Sequence, residues 1–143
     1  MKVRTMVKKD VNDIYSFWQE SGLFVRSVQR EKEEVELLIK HNPDTCFIIE
    51  KGKKIIGSIF GAFNGRRAWI YHLCIHPQYQ KKGYGSLLLK KTEDELRKKG
   101  ATKILLGVFL TSLKIVPFYK KSGYTVMNDM ITFEKDLWKE KKI

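Results

Sequence analysis

Residues 46–75 constrain this chain most, because three apolar runs of strand length follow one another there with only short turns between them. CFIIE at 46–50 and KIIGSIFGAF at 54–63, joined through Lys51-Gly52, read as an antiparallel hairpin. Asn64-Gly65 comes next, a dipeptide suited to a tight turn, and leads into AWIYHLCI at 68–75. Three strands joined in this way form a meander.

The flanking segments change period. Residues 2–7 alternate weakly and suggest a first strand. Asp10 then reads as an N-cap, with Val11, Ile14, Tyr15 and Trp18 on one helical face and Gly22 as the stop. A second amphipathic helix over 27–40 would bury Val35, Leu38 and Ile39 and end at Asn42-Pro43. After the meander, the polar loop HPQYQKKG at 76–83 precedes a helix that starts at Tyr84 and stops at Gly100. Its acidic residues at 93–95 come before Arg97, Lys98 and Lys99, as the helix dipole favours. KILLGVF at 103–109 reads as a short strand buried on both faces, residues 112–122 as a helix, and 124–137 as one bent strand or two short ones. The expected order is β-α-α-β-β-β-α-β-α-β(β): an α/β fold with a mixed, mostly antiparallel sheet flanked by about four helices. At 143 residues and 43% hydrophobic content the chain can build a core as a single domain, 1–143.

Charge bears on partners. The net charge is +12, but the lysines are spread along the chain with no interleaved aromatic residues, so nucleic acid is not an expected partner. The basic surface is read as solvated, with part of it attracting an anionic cofactor. The start, MKVRTMVKKD, lacks an apolar signal region, and no apolar run is long enough for a membrane span. Cys46 and Cys74 sit inside apolar runs and read as buried thiols in a reducing, cytoplasmic setting.

The chemistry is concentrated in Gln80-Lys81-Lys82-Gly83-Tyr84-Gly85-Ser86, between a strand and a helix start. A helix N-terminus offers unpaired backbone N–H groups and partial positive charge. Glycines let a ligand approach the backbone, and Lys81 and Lys82 add mobile charge, which together suit a pyrophosphate. The loop has neither the GxxxxGK[ST] of a nucleotide-binding loop nor the third glycine of a dinucleotide fingerprint, since Leu88 stands there. Taken alone, two such glycines are equally a tight strand-to-helix turn.

Gln80, Gly83 and Gly85, after an apolar strand and a proline-containing loop, are similar to the Q/R-x-x-G-x-G/A hallmark of the GNAT acetyltransferases. LCIHPQYQKKGYG resembles the hallmark with its upstream strand, and PFYKKSGY at 117–124 the family's downstream helix. The resemblance covers nearly the whole chain. DIYSFWQESGL, GRRAWIYHLCIHP and the short length most resemble small bacterial and archaeal GNAT proteins of the YpeA kind.

The resemblance implies acetyl-CoA, or coenzyme A, as cosubstrate, no metal, and an N-acetyltransferase acting on a primary amine. Backbone groups of Leu73, Cys74 and Ile75 would pair with the pantetheine arm. Gln80 and the amides of Lys81, Lys82, Gly83, Tyr84, Gly85 and Ser86 would hold the pyrophosphate. Tyr119 would protonate the departing thiolate. Ser112 stands where many members have asparagine and is equally a helix cap, while Pro117 implies a late or kinked helix start. Several members carry a glutamate where this chain has Trp69, and 68–76 contain no carboxylate. The His72 imidazole could take the amine's proton directly or through water, although a lone strand histidine is also an ordinary core residue, and water-mediated removal is the other route. Tyr71 is the other polar group of that strand. Trp18, Leu23, Phe24, Arg26, Arg30, Arg66 and Arg67 are candidates for the acceptor pocket, and the arginines read either as a site for a carboxylate-bearing acceptor such as an amino acid or peptide terminus or as ordinary exposed arginines. Two rival readings are a CoA-binding sensor without turnover and a basic nucleic-acid module. A homodimer through the C-terminal strands is a further expectation.

Overall fold

One sheet of five strands carries the fold, in the order β1-β2-β3-β4-β5. The computed structural model describes residues 1–23 and 27–139. The chain divides into two compact units, Met1–Gly107 and Val108–Ile143.

In the first unit the strands are β1 (Lys2–Thr5), β2 (Cys46–Lys51), β3 (Lys54–Phe63), β4 (Ala68–Ile75) and β5 (Ile104–Leu106). Neighbours run antiparallel except β4 and β5, which are parallel. Parallel neighbours need a crossover, and the helix α3 (Tyr84–Lys98) supplies it. α1 (Val11–Ser21) and α2 (Val28–His41) lie between β1 and β2 in sequence. The two sheet faces are separately covered. Trp18 of α1 packs against Phe60 on one face. On the other, a Cβ at Gly61 would come within 2.6 Å of Thr92 Cγ2 and 3.2 Å of Leu96 Cδ1 of α3. Met6, Val11, Ile14, Phe17, Trp18, Val35, Ile39, Cys46, Ile48, Ile55 and Phe60 form the principal core.

The turns and caps follow local chemistry. Gly22, with φ 79°, ends α1, and Ser27 caps α2 by accepting from the Arg30 N–H at 3.5 Å. Asn64 Oδ1 accepts from the Arg66 and Arg67 N–H groups, at 2.9 and 2.8 Å, so the second turn of the meander spans four residues with Gly65 at φ 92°. Asp10 precedes α1 as expected, but its carboxylate does not cap it. It accepts from Val7 N–H at 2.8 Å and from both terminal nitrogens of Arg4 at 2.8 Å, tying β1 to the turn Lys8–Asp10. The guanidinium lowers the Asp10 carboxyl from its ordinary value.

Two strands are shorter than their patterns. β1 stops at Thr5, and β5 keeps only three of the seven residues expected at 103–109, half-buried rather than buried on both faces. In the second unit, a 3-10 turn (Leu110–Ile115) leads into α4 (Val116–Lys121) through a kink at Ser112. Pro117 sits in the first turn of α4, where its missing N–H costs nothing. The expected strands at 124–137 are not formed: the described residues 124–139 enter no ladder, and the order ends β-α after α3. Alternation says which side chains could share a face, whereas a strand exists only where a neighbour completes its hydrogen bonds. Val126, Ile131, Phe133 and Leu137 are exposed.

Candidate active site

The loop after β4 is braced from several sides. His76 donates its backbone N–H to Ile56 O at 2.8 Å, and its Nδ1 accepts from Gln78 N–H at 3.2 Å. Nε2 of the same buried ring lies 3.3 Å from Glu20 at the end of α1, which also meets Lys54 at 3.1 Å. Lys54 first, then His76, lower the Glu20 carboxyl from its ordinary value. Gln80 donates its side-chain amide to Ile75 O at 2.9 Å, closing the loop on the strand it left. Lys51 and Lys82 flank the Tyr79 ring at 5.0 and 5.6 Å. Lys81 and Gly83 both take left-handed conformations, φ 61° and 90°, and α3 begins directly after. Its N-cap is Gly83, which has no side chain to fill the first-turn amides of Tyr84, Gly85 and Ser86. Lys81, Lys82 and Ser86 are exposed.

β4 outruns its neighbour. Its ladder with β5 covers Ala68–Ile70 against Ile104–Leu106 and then stops. Among the described residues, 71–75, which include Leu73, Cys74 and Ile75, enter no ladder other than the one with β3. The open edge runs directly into the loop and the α3 N-terminus. Burial pushes the Cys74 thiol up to about 11 and the Cys46 thiol up to about 12, so both are protonated near neutral pH.

A bulge sits in the same stretch of β4. Phe60 pairs with Tyr71 and Ser58 with Cys74, so His72 and Leu73 together oppose Ile59. His72 is the residue in left-handed conformation, φ 50°. In register it would share the face of Ile59, toward α3. Instead its ring lies against Trp18 at 4.5 Å and Phe60 at 5.9 Å, on the α1 face. Trp69 and Tyr71 stack on that face at 6.4 Å. Ser58 Oγ donates to His72 O at 3.0 Å and accepts from Trp18 Nε1 at 3.0 Å, inside the core. Glu31 of α2 places Oε1 2.8 Å from His72 Nε2.

The other anticipated residues fall on several elements. Trp18 is 1% exposed, donates to Ser58 and lies against the His72 ring. Leu23 packs against the core, and Phe24 and Arg26 lie outside the described residues. Arg30 pairs with Glu34 along α2 at 3.0 Å, and Arg67 reaches back to Arg66 O at 3.0 Å. Ser112 and Tyr119 belong to the second unit. There Tyr119 lies between Phe118 and Tyr124, 5.2 and 5.8 Å away, and burial raises its phenol. Glu31, Ser58 and Glu20 escaped the sequence reading. The signal for Glu31 was its helical spacing, four residues before Val35 and eight before Ile39, which puts it on the buried side of α2.

The model of the acetyltransferase (GNAT) family matches residues 10–124. The chain belongs to the GNAT acetyltransferase family. It is similar over 137 residues, at 26% identity and 96% coverage of both chains, to the acetyltransferase SG1711 of Sodalis glossinidius. Among solved structures it resembles Ard1 from Thermoplasma volcanium, with a TM-score of 0.77 at 20% identity over 89% of this chain and 84% of that one. It also resembles PaiA N-acetyltransferase from Thermoplasma acidophilum, whose structure is a complex with coenzyme A, with a TM-score of 0.76 at 21% identity over 88% and 90% of the two chains. As a GNAT protein it is an N-acetyltransferase that uses acetyl-CoA. No helix among the described residues is long and apolar enough to cross a membrane.

Proposed function

We propose that the chain transfers an acetyl group directly from acetyl-CoA to a primary amine of a small metabolite, an amino acid or a peptide, with both substrates bound together. The observation that carries this reading is the open edge of β4 at residues 71–75 running into an uncapped α3 N-terminus. An extended amide-bearing arm would add to that edge at Leu73, Cys74 and Ile75 as one more strand does. A pyrophosphate would meet the amides of Gly83, Tyr84, Gly85 and Ser86 with Lys81 and Lys82 beside them. Gln80 would act by holding the loop on Ile75. The family match spans both compact units, which supports one acetyltransferase domain over 1–143.

The reaction forms a C–N bond between the amine and the thioester carbon and breaks the C–S bond. The amine's proton goes to His72 and the departing thiolate takes one from Tyr119, both groups then re-equilibrating with solvent. Burial keeps the Tyr119 phenol protonated, as an acid must be before it acts. For Ser112 we keep the cofactor contact that the family resemblance implies. The free, protonated Cys46 and Cys74 suit a reducing cytoplasm.

Calorimetric titration with acetyl-CoA and CoA tests the cradle. Micromolar binding is expected, and it is lost in Gly83→Asp and Gly85→Asp, where a carboxylate would meet the pyrophosphate. Thiol release with amino acids and free N-terminal peptides then tests transfer. Binding without release would favour a CoA sensor. No binding at millimolar cofactor would sink the proposal and turn attention to a salt-sensitive polyanion partner.

A further inference from the structure

β4 lacks a carboxylate, yet the fold brings one to it. The bulge turns His72 onto the face that also carries Trp69 and Tyr71, and Glu31 meets the ring there with Oε1 2.8 Å from Nε2. Both side chains are largely shielded, 27% exposed for His72 and 15% for Glu31. The ring is fixed from below by Trp18 and from the edge by Phe60. Its backbone carbonyl is held by Ser58, itself held by Trp18. Nδ1 has no partner among the described residues. A ring with one nitrogen donating to a carboxylate keeps its proton there and presents a lone pair at the other.

We propose that Glu31 is the positioning residue that holds His72 in the Nε2–H tautomer, leaving Nδ1 to take the proton of the acceptor amine. This rests on the acetyl-transfer reading above. As the N–C bond forms, one N–H bond of the amine breaks and its proton moves to Nδ1, making an imidazolium. The Glu31 carboxylate faces that cation across Nε2–H, so the charge develops as one half of an ion pair. The pair supplies from α2 what the residue at Trp69 does not supply from β4. α2 and the bulge of β4 thus together build a base that neither segment shows alone.

The test uses the full chain, isotope-labelled at the histidine ring nitrogens and read by long-range proton–nitrogen correlation near neutral pH. His72 should show a protonated Nε2 and an unprotonated Nδ1, and Glu31→Ala should mix the tautomers. Thiol release from acetyl-CoA, with a free N-terminal tripeptide as probe and with water alone, gives the second readout. His72→Gln should lower kcat by the roughly 10²–10⁴-fold that a general base supplies. Glu31→Ala should lower it about tenfold or more with KM for acetyl-CoA unchanged, and the double variant should be no slower than His72→Gln alone. A proton on Nδ1 in the wild type, wild-type turnover in Glu31→Ala, or losses that multiply would overturn the proposal. Absent acetyl-CoA binding in the wild type would instead overturn the acetyl-transfer reading, so the two failures are distinct.

Discussion

Ser58→Ala probes the support beneath the bulge. The hydroxyl is fully buried and makes two hydrogen bonds of 3.0 Å, accepting from Trp18 Nε1 and donating to His72 O. Removing it leaves a buried indole N–H and a strand carbonyl unpaired, each worth about 1–3 kcal/mol, partly offset because the hydroxyl need no longer be desolvated. The carbonyl belongs to a non-glycine residue in the left-handed region, which itself costs about 1–3 kcal/mol and persists only while its surroundings hold it. The expected net loss is about 2–4 kcal/mol, or about 6–12 °C in Tm for a chain of this size. Urea unfolding followed by tryptophan fluorescence measures it. In a Trp18→Phe background the indole is already gone, so Ser58→Ala should cost about 1–2 kcal/mol less there. A Ser58→Ala variant within about 0.5 kcal/mol of wild type, or a cycle without coupling, would refute the reasoning.

Two further perturbations test neighbouring parts. Gly61→Ala brings a Cβ to 2.6 Å from Thr92 Cγ2 and 2.9 Å from Thr45 O. The carbonyl cannot retreat as a side chain can, so the backbone at Thr45 must shift from β3 while the Thr92 side chain gives way, at a cost of about 1–3 kcal/mol in urea unfolding. The Asp10 carboxyl is lowered in the fold from its ordinary value of 3.8, Arg4 being the main cause. A depressed carboxylate stabilises above that value, and its contribution fades as pH falls from about 3.8 through the lower folded value. Asp10→Asn should therefore be less stable than wild type near neutrality, the difference closing below that pH, as acid titration of the unfolding midpoint will show.

Much of the frame was legible because it depends on near neighbours. The meander at 46–75, the stops at Gly22 and Gly100 and the strand-to-helix loop with Gly83 follow from side-chain period and backbone freedom, which act within a few residues. The candidate loop was legible for the same reason, as its chemistry is a contiguous run. Where the pattern misled, a distant partner decided: residues 124–137 alternate like strands but enter no ladder, and Asp10 gives its carboxylate to Arg4 rather than to α1.

The sequence by itself determined the order of elements through α4, the family resemblance and the position of the loop. Only the tertiary structure decided what surrounds His72. Register between β3 and β4 put the extra residue opposite Ile59 and so chose its face. The packing of α2 set Glu31 against it, from a helix that sequence separates from β4 by two whole strands. Register and helix docking are cooperative outcomes of burying a whole core, and no local run of residues encodes them.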